Sequence, residues 1–321
     1  MAAWDERGVT ADPGRVHTEG RIVRAILEDA RQQVADLFGV RPRQVILTSG
    51  GTESANAAVW GVLHPGPGTV ACAPVEHSAV RDASARSGPV ETIAVDRLGR
   101  IEVGAVEEAL ARCRAHHGAA AALVHCQWAN HEVGTVQPVA GVVELCRRQG
   151  VPVHVDAAAA AGHLPCDLGA LDADLVSVSA HKLGGPTGVG ALIVRRGVRI
   201  EPFVVGGEQE RARRAGLEHV SGAIGFGAAA SVLSAPGALE SLVGKAGLNP
   251  EAAGNVTTTM SFPDEATAVR GLLASGVAER AIRNSGETAV RQGVAEAIRP
   301  FRKSDGSYAF RNEWLFEVSR V

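Results

Sequence analysis

Val45-Ile46-Leu47-Thr48-Ser49-Gly50-Gly51-Thr52-Glu53 decides the fold of this chain. A short apolar run meets a serine and two glycines, and a helical stretch follows from Glu53 to Leu63. That order is strand, tight turn, helix. Upstream, Ile22, Ile26, Ala30, Val34 and Leu37 repeat at helical spacing over residues 19–38, and Gly39 is a natural stop. Downstream the alternation continues. Strands are expected over 69–73, 90–95, 120–127, 151–155, 174–178 and 190–194, and helices over 103–116 and 139–149. Continuous apolar strands alternating with helices imply an α/β fold, a mainly parallel sheet with helices on both faces. Ligands of such sheets bind beyond the carboxyl ends of the strands. Polar groups stand at those ends: Ser49 to Thr52, Asn130, Asp156, and Ser179 to Lys182.

Composition agrees with this class. The chain has 321 residues with 45% hydrophobic and 4% aromatic content, which favours close helix–sheet packing over an aromatic all-β core. A formal net charge of −3 gives no basic footprint for nucleic acid. Cys72, Cys113, Cys126, Cys146 and Cys166 are scattered without metal-ligand spacing, so they read as small packed residues, not as a disulfide framework. The stretch Met1-Ala2-Ala3-Trp4-Asp5-Glu6 has no signal-peptide character, and no apolar run approaches the roughly 20 residues that span a membrane. A cytoplasmic protein without membrane contact is expected. The texture changes near Ser234-Ala235-Pro236-Gly237. Beyond it, helical patterns cover 265–274 and 288–299, and residues 306–318 read as a hairpin. The expected domains are therefore 1–235 and 236–321.

Each candidate site residue has a bland reading beside a chemical one. Ser49-Gly50-Gly51-Thr52-Glu53 suits a phosphate held by backbone N–H groups, the Thr52 hydroxyl and a helix N-terminus, and suits equally a turn that caps a helix. Asp156 suits a partner for a protonated pyridine nitrogen or the N-cap of the Ala-rich segment 157–161. Lys182 suits a Schiff-base lysine or a solvated loop lysine. His77 suits a ring that stacks on an aromatic cofactor or a packing histidine. Their order along the chain makes a more specific constellation than any one of them.

Residues from about 12 to 231 resemble the class V aminotransferase family, and within it the cysteine desulfurases of the nitrogen-fixation type. The resemblance is carried by Thr48-Ser49-Gly50-Gly51-Thr52-Glu53-Ser54, Glu76-His77-Ser78-Ala79-Val80, the run from Ala129 to Pro138, His154-Val155-Asp156-Ala157, Ser177-Val178-Ser179-Ala180-His181-Lys182, and Gly206-Gly207-Glu208-Gln209-Glu210-Arg211. It implies the large domain of a fold type I enzyme dependent on pyridoxal 5'-phosphate (PLP). By the same resemblance Gly51, Thr52, Ser179 and His181 bind the cofactor phosphate. His77 stacks on the pyridine ring and Asp156 pairs with its nitrogen. Asn130 helps to hold the substrate carboxylate, and Lys182 carries the cofactor as a Schiff base. Lys182 and His77 are the expected catalytic residues, with no metal. The implied reaction converts L-cysteine to L-alanine and passes sulfur to an acceptor protein, in a homodimer. Rival expectations are another class V reaction, such as C–S lyase or aminotransferase chemistry, and a degenerate non-catalytic partner or fragment.

The sequence departs from that family at several places. Ala159 stands where a glutamine reaches the cofactor's phenolic oxygen, and Leu217 where a threonine reaches the phosphate of the partner subunit's cofactor. The family's N-terminal strand and loop have no counterpart here. No cysteine follows Cys166, so the family's persulfide-forming cysteine and its substrate-binding arginine domain are not matched, and impaired sulfur transfer is expected. The tail from 236 resembles the C-terminal segment of class I S-adenosylmethionine-dependent methyltransferases. That likeness is carried by Gly247-Leu248-Asn249-Pro250-Glu251, Ala252-Ala253-Gly254-Asn255-Val256, Ser285-Gly286-Glu287 and residues 305–318, without that family's Gly-rich cofactor loop. A small α+β segment foreign to the desulfurases is expected there, joined by fusion, rearrangement or misassembly.

Overall fold

In a computed structural model, the structure describes residues 11–64, 66, 68–164, 166–234, 249–273, 282 and 285–320. The readings of Met1 to Glu6, of a boundary at 235/236 and of Gly247-Leu248 fall outside the described residues. The chain separates into two compact units, Met1–Ala246 and Gly247–Val321.

The first unit opens with helix α1 (Thr18–Leu37), whose Val23, Leu27, Ala30 and Val34 form one buried stripe. Gly39, at φ +62°, ends it in the left-handed region that glycine adopts without cost. Then come β1 (Val45–Thr48), α2 (Gly51–Leu63), β2 (Val70–Cys72), α3 (Ser78–Ser87), β3 (Val90–Thr92), α4 (Val103–His117), β4 (Leu123–Gln127), α5 (Val139–Gln149), β5 (Val153–Asp156), the short α6 (Leu168–Leu171), β6 (Leu175–Ser179), β7 (Gly190–Val194), α7 (Gln209–Ala212) and α8 (Val220–Ser234). The sheet order is β1-β7-β6-β5-β4-β2-β3. Strands β3, β2, β4, β5 and β6 are parallel, and β7 is antiparallel to both β6 and β1. Strand β1 therefore runs with the parallel set, and its carboxyl end lies at the same edge as theirs.

Both sheet faces are buried, as the continuous apolar strands require. Val124, Cys126, Val155, Val176 and Val178 join one cluster with Leu27, Leu110, Val142 and Phe226. Leu123, Leu175 and Leu192 join a second with Ala58, Val59 and Val80. The alternation within β4 and β6 follows from the two-residue period of a strand. Helix α8 lies close on α1 because Gly227 has no side chain: a Cβ there would come 2.9 Å from Ala30 Cα.

The structure corrects several expectations. Helices α3 and α8 were not anticipated. Helix α3 carries few apolar residues, and the Gly/Ala-rich α8 shows almost no periodic stripe because its contacts are backbone-close. Strand β3 stops at Thr92 instead of residue 95. In the second unit, β8 (Asn249–Phe262) is followed by α9 (Glu265–Leu273), α10 (Glu287–Ile298) and β9 (Tyr308–Arg320). The ending is not a local hairpin. A turn over Lys303 to Ser307 leads into β9, but the long antiparallel ladder of β9 is with β8. The run Val256-Thr257-Thr258-Thr259 supplies the β-branched residues that such a strand favours. A small core of Ala268, Val269, Ile298 and Tyr308 lies under that pair, with Tyr308 donating to Glu265 Oε2 at 2.8 Å. Among the described residues no helix is long and apolar enough to cross a membrane.

Candidate active site

A cleft of about 250 Å³ opens where β1, β4, β5 and β6 end and β7 begins. Gly51, Thr52, His77, Gln127, His131, Asp156, Ala159, Ser179, His181 and Lys182 line it. Residues scattered over more than a hundred positions meet because each one follows a strand of the same sheet.

The turn after β1 is set by glycines. Gly190 pairs with Thr48 on one side and Ser179 on the other, and a Cβ on it would lie 2.7 Å from Gly50 Cα. The turn therefore rests on bare backbone. The first bond of α2 runs from Ser54 N–H to Gly50 O, so the N–H groups of Gly51, Thr52 and Glu53 precede the intrahelical ladder. Beside them lies the Ser179 hydroxyl, bonded to His181 Nδ1 at 2.9 Å, so donors of the kind that suit an anion are gathered at this end of the cleft. Glu53 would repel an anion there. Instead its carboxylate turns back to Ser49 N–H at 2.8 Å and pairs with Arg214 Nε and Nη2 at 2.8 and 3.1 Å. Burial would raise the Glu53 carboxyl, yet these bonds and the Arg214 charge hold it below the usual carboxylate range.

Asp156 ends β5 on the same sheet face as Gln127 and Ser177, its register partners in β4 and β6. Its Oδ1 accepts the Ala158 N–H at 2.9 Å. Burial raises its pKa, while that bond and the fields of His77, His131 and Lys182 pull it back. Lys182 sits half-exposed in a 3₁₀ turn, Ala180–Leu183, which Gly184 ends at φ +80°. The Lys182 carbonyl accepts from His163 Nε2 at 2.9 Å, which fixes the backbone under the amine. His77 caps α3, its Nδ1 accepting the Ala79 N–H at 3.0 Å.

Gly51, Thr52, His77, Asp156, Ser179, His181 and Lys182 thus meet in one cleft. Asn130 does not line it. Its Nδ2 donates to Val75 O and Gln127 Oε1, and its Oδ1 accepts from Glu132 and Val133 N–H, so the side chain braces the loop that carries His131. Gln127 and His131 were missed. The signal for Gln127 was available, since it ends an apolar strand as Asp156 and Ser179 do. Ala159 leaves its part of the wall apolar, and Leu217 is 62% exposed beside Thr48, Ser49 and Glu210. All five cysteines are described; four are buried, Cys166 is half-buried, and none of them lines the cleft. Burial pushes their thiols up, Cys146 to about 12 and Cys166 to about 11.

The donor set fits PLP in three respects. A buried carboxylate at the base suits a protonated ring nitrogen, a helix N-terminus with hydroxyl neighbours suits the phosphate, and a lysine on the adjoining turn suits the aldehyde. Comparisons with known proteins point the same way. Residues 8–246 match the family described as aminotransferase class-V. An IscS-like cysteine desulfurase of Mycobacterium tuberculosis is 40% identical over 228 residues, 68% of this chain and 57% of that protein. The cysteine desulfurase IscS of Dictyoglomus turgidum is 36% identical over 225 residues, 68% of this chain and 55% of its own. This chain thus spans little more than half the length of these relatives. Among solved structures, a NifS-like protein superimposes with a TM-score of 0.70 at 27% identity, covering 96% of this chain and 87% of the other. DndA from Streptomyces lividans gives 0.66 at 28% identity, covering 95% and 92%.

Proposed function

Because this chain belongs to the class V aminotransferase family, we propose that its cleft holds PLP on Lys182 and acts on a small amino acid, cysteine first among them. The observation that carries the reading is the placement of Lys182 and Asp156 in one cleft below the N-terminus of α2. The cofactor, when bound, supplies an electron sink for charge developed at the substrate's α-carbon. The protein's groups do the rest. The amides of Gly51 and Thr52, with Ser179 and His181, take the phosphate. His77 covers the ring and Asp156 keeps its nitrogen protonated. The Lys182 amine accepts and returns the α-proton. Asn130 serves the substrate side by holding the 130–135 loop.

Desulfuration in the full sense needs a thiolate to take the sulfur. The positions of the five cysteines, away from the cleft with raised pKa values, favour a second reading: C–S bond cleavage without a protein persulfide. A dimer is proposed from the relatives' class, with the exposed Leu217 in place of one cross-subunit polar contact. The second unit is proposed as a methyltransferase-like segment without a methyl-transfer role.

The test is a spectrum of the purified full chain with added PLP, then borohydride reduction and peptide mass mapping. A cofactor adduct on Lys182 is expected, and an unmodified Lys182 overturns the reading. Alanine released from cysteine and abolished by thiol alkylation supports desulfuration. Sulfide and pyruvate release that survives alkylation supports the lyase reading.

A further inference from the structure

Glu76 lies on the turn between β2 and α3, one residue before His77. The pairing of β2 with β4 ends at Ala71↔Val124, while β4 runs on to Gln127. Glu76 Oε1 continues the ladder, accepting the Gln127 N–H at 2.6 Å in place of a strand carbonyl. Oε2 is buried and has no hydrogen-bond partner among the described residues, and the residue is only 3% exposed. The groups whose fields meet it are Asp156 on β5, Cys126 on β4 and Cys72 on β2. Among the described residues no cation pairs with it.

Two carboxylates thus lie within each other's field, Asp156 lining the cleft and Glu76 buried behind it, and their surroundings differ. Asp156 has the Ala158 N–H and the favourable fields of His77, His131 and Lys182. Glu76 has one backbone N–H and faces only neutral or acidic groups. Burial, then the Asp156 charge, pushes its carboxyl up to about 8. When two acids cannot both ionise, the better-solvated one takes the charge.

We propose that Glu76 is a neutral carboxylic acid under the cleft, carrying its proton on the unpartnered Oε2, and acts as a positioning residue that keeps the Glu76–Asp156 pair at a single negative charge. One charge then matches one protonated ring nitrogen. The role for that charge rests on the proposed PLP reading, whereas the protonation state of Glu76 does not. A Glu76 that ionised would place a second charge behind the cleft and strengthen the hold of Asp156 on its own proton.

Infrared difference spectroscopy of the full chain without cofactor reads the acid directly. A protonated-carboxyl C=O band is expected at pH 7, titrating away near pH 8 and absent from E76Q. Its absence at pH 7 in the wild type, or its persistence in E76Q, overturns the proposal. Should E76Q fail to fold, the wild-type band and its shift to a lower midpoint in D156N carry the test, and an unshifted midpoint overturns the coupling. Melting gives an independent sign. The folded carboxyl is raised above its unfolded value of 4.5, so stability present below that pH is lost as pH rises through about 8. E76Q is then expected to melt higher than wild type at pH 8 and equally at pH 4; an ionised, merely structural Glu76 would give the reverse. In cofactor titrations E76Q is expected to hold PLP within about threefold of wild type at pH 7 and to lose less affinity at pH 9. A chain that shows the infrared band and binds no PLP would overturn the functional reading alone.

Discussion

The Nδ1 atoms of His125 and His154 stand 2.8 Å apart in a fully buried ring-to-ring hydrogen bond between β4 and β5. One ring must donate and the other accept. Ser84 Oγ gives its hydrogen to Val80 O at 2.7 Å, so it accepts from His125 Nε2 at 3.1 Å. His125 Nδ1 is then the acceptor, His154 Nδ1 the donor, and His154 Nε2 accepts from Ser177 Oγ at 2.7 Å. The chain of bonds lies directly below Gln127 and Asp156 on the same sheet face and has a single proton order, with both rings neutral.

That order predicts acid lability. Burial lowers both rings, His154 from 6.5 to about 3. A depressed folded value means that stability present above pH 6.5 is lost as pH falls toward 3, by about 1.4 kcal/mol per pH unit for each ring. Melting temperatures measured from pH 8 to pH 5 should fall accordingly. His154→Asn should melt lower at pH 8 and with a flatter acid slope; an unchanged slope contradicts the assignment.

Lys182→Ala should abolish covalent cofactor retention through gel filtration while leaving the apoprotein's melting within about 0.5 kcal/mol of wild type, because the side chain is half-exposed and its backbone is held from outside by His163. A variant that loses both cofactor and fold would make Lys182 a packing residue.

Asp156→Asn should separate stability from binding. Burial disfavours the ionised carboxylate, so the asparagine variant should melt no lower than wild type at pH 7. Loss of a charged hydrogen bond to the ring nitrogen should weaken PLP by about 10- to 100-fold in spectral titration. Unchanged affinity would exclude Asp156 as the nitrogen's partner.

Arg31 and Glu210, 1% and 2% exposed, pair through two bonds of 2.5 and 2.6 Å, and Glu210 also accepts the Leu47 N–H. Arg31→Met should destabilise by about 3–5 kcal/mol in denaturant unfolding, since it leaves the buried Glu210 carboxylate without its cation, and Glu210→Gln should cost less, since Arg31 keeps Glu28 at 3.2 Å. The Arg31→Met/Glu210→Met pair should recover part of the loss; strictly additive losses would show that the two do not act as a unit.

The parallel strands were legible because a strand buried on both faces is written as an unbroken apolar run, and Val45 to Thr48 and Gly190 to Val194 match to the residue. The cleft was legible for the same reason: polar residues at strand ends converge once the strands do. What stayed hidden depends on distant partners. Helix α8 owes its close seat on α1 to one glycine, Gly227, that meets another backbone, and β8 acquires its identity from β9, some fifty residues on. The family resemblance implies a substrate role for Asn130, while its four hydrogen bonds, to partners on three separate segments, are written nowhere in the local sequence.

Glu210, Arg211 and Ala212 have φ values of 48°, 60° and 59°, a left-handed step that costs non-glycine residues about 1 kcal/mol or more each. The Arg31 clamp that holds this step joins positions 179 residues apart. The clamp therefore ties α1, ahead of every strand, to a segment that follows all seven strands of the sheet, while Glu28 on α1 itself holds the Arg31 Nε at 3.2 Å. Any chain cut short before Glu210 would lack the carboxylate that the Arg31 guanidinium grips through two bonds.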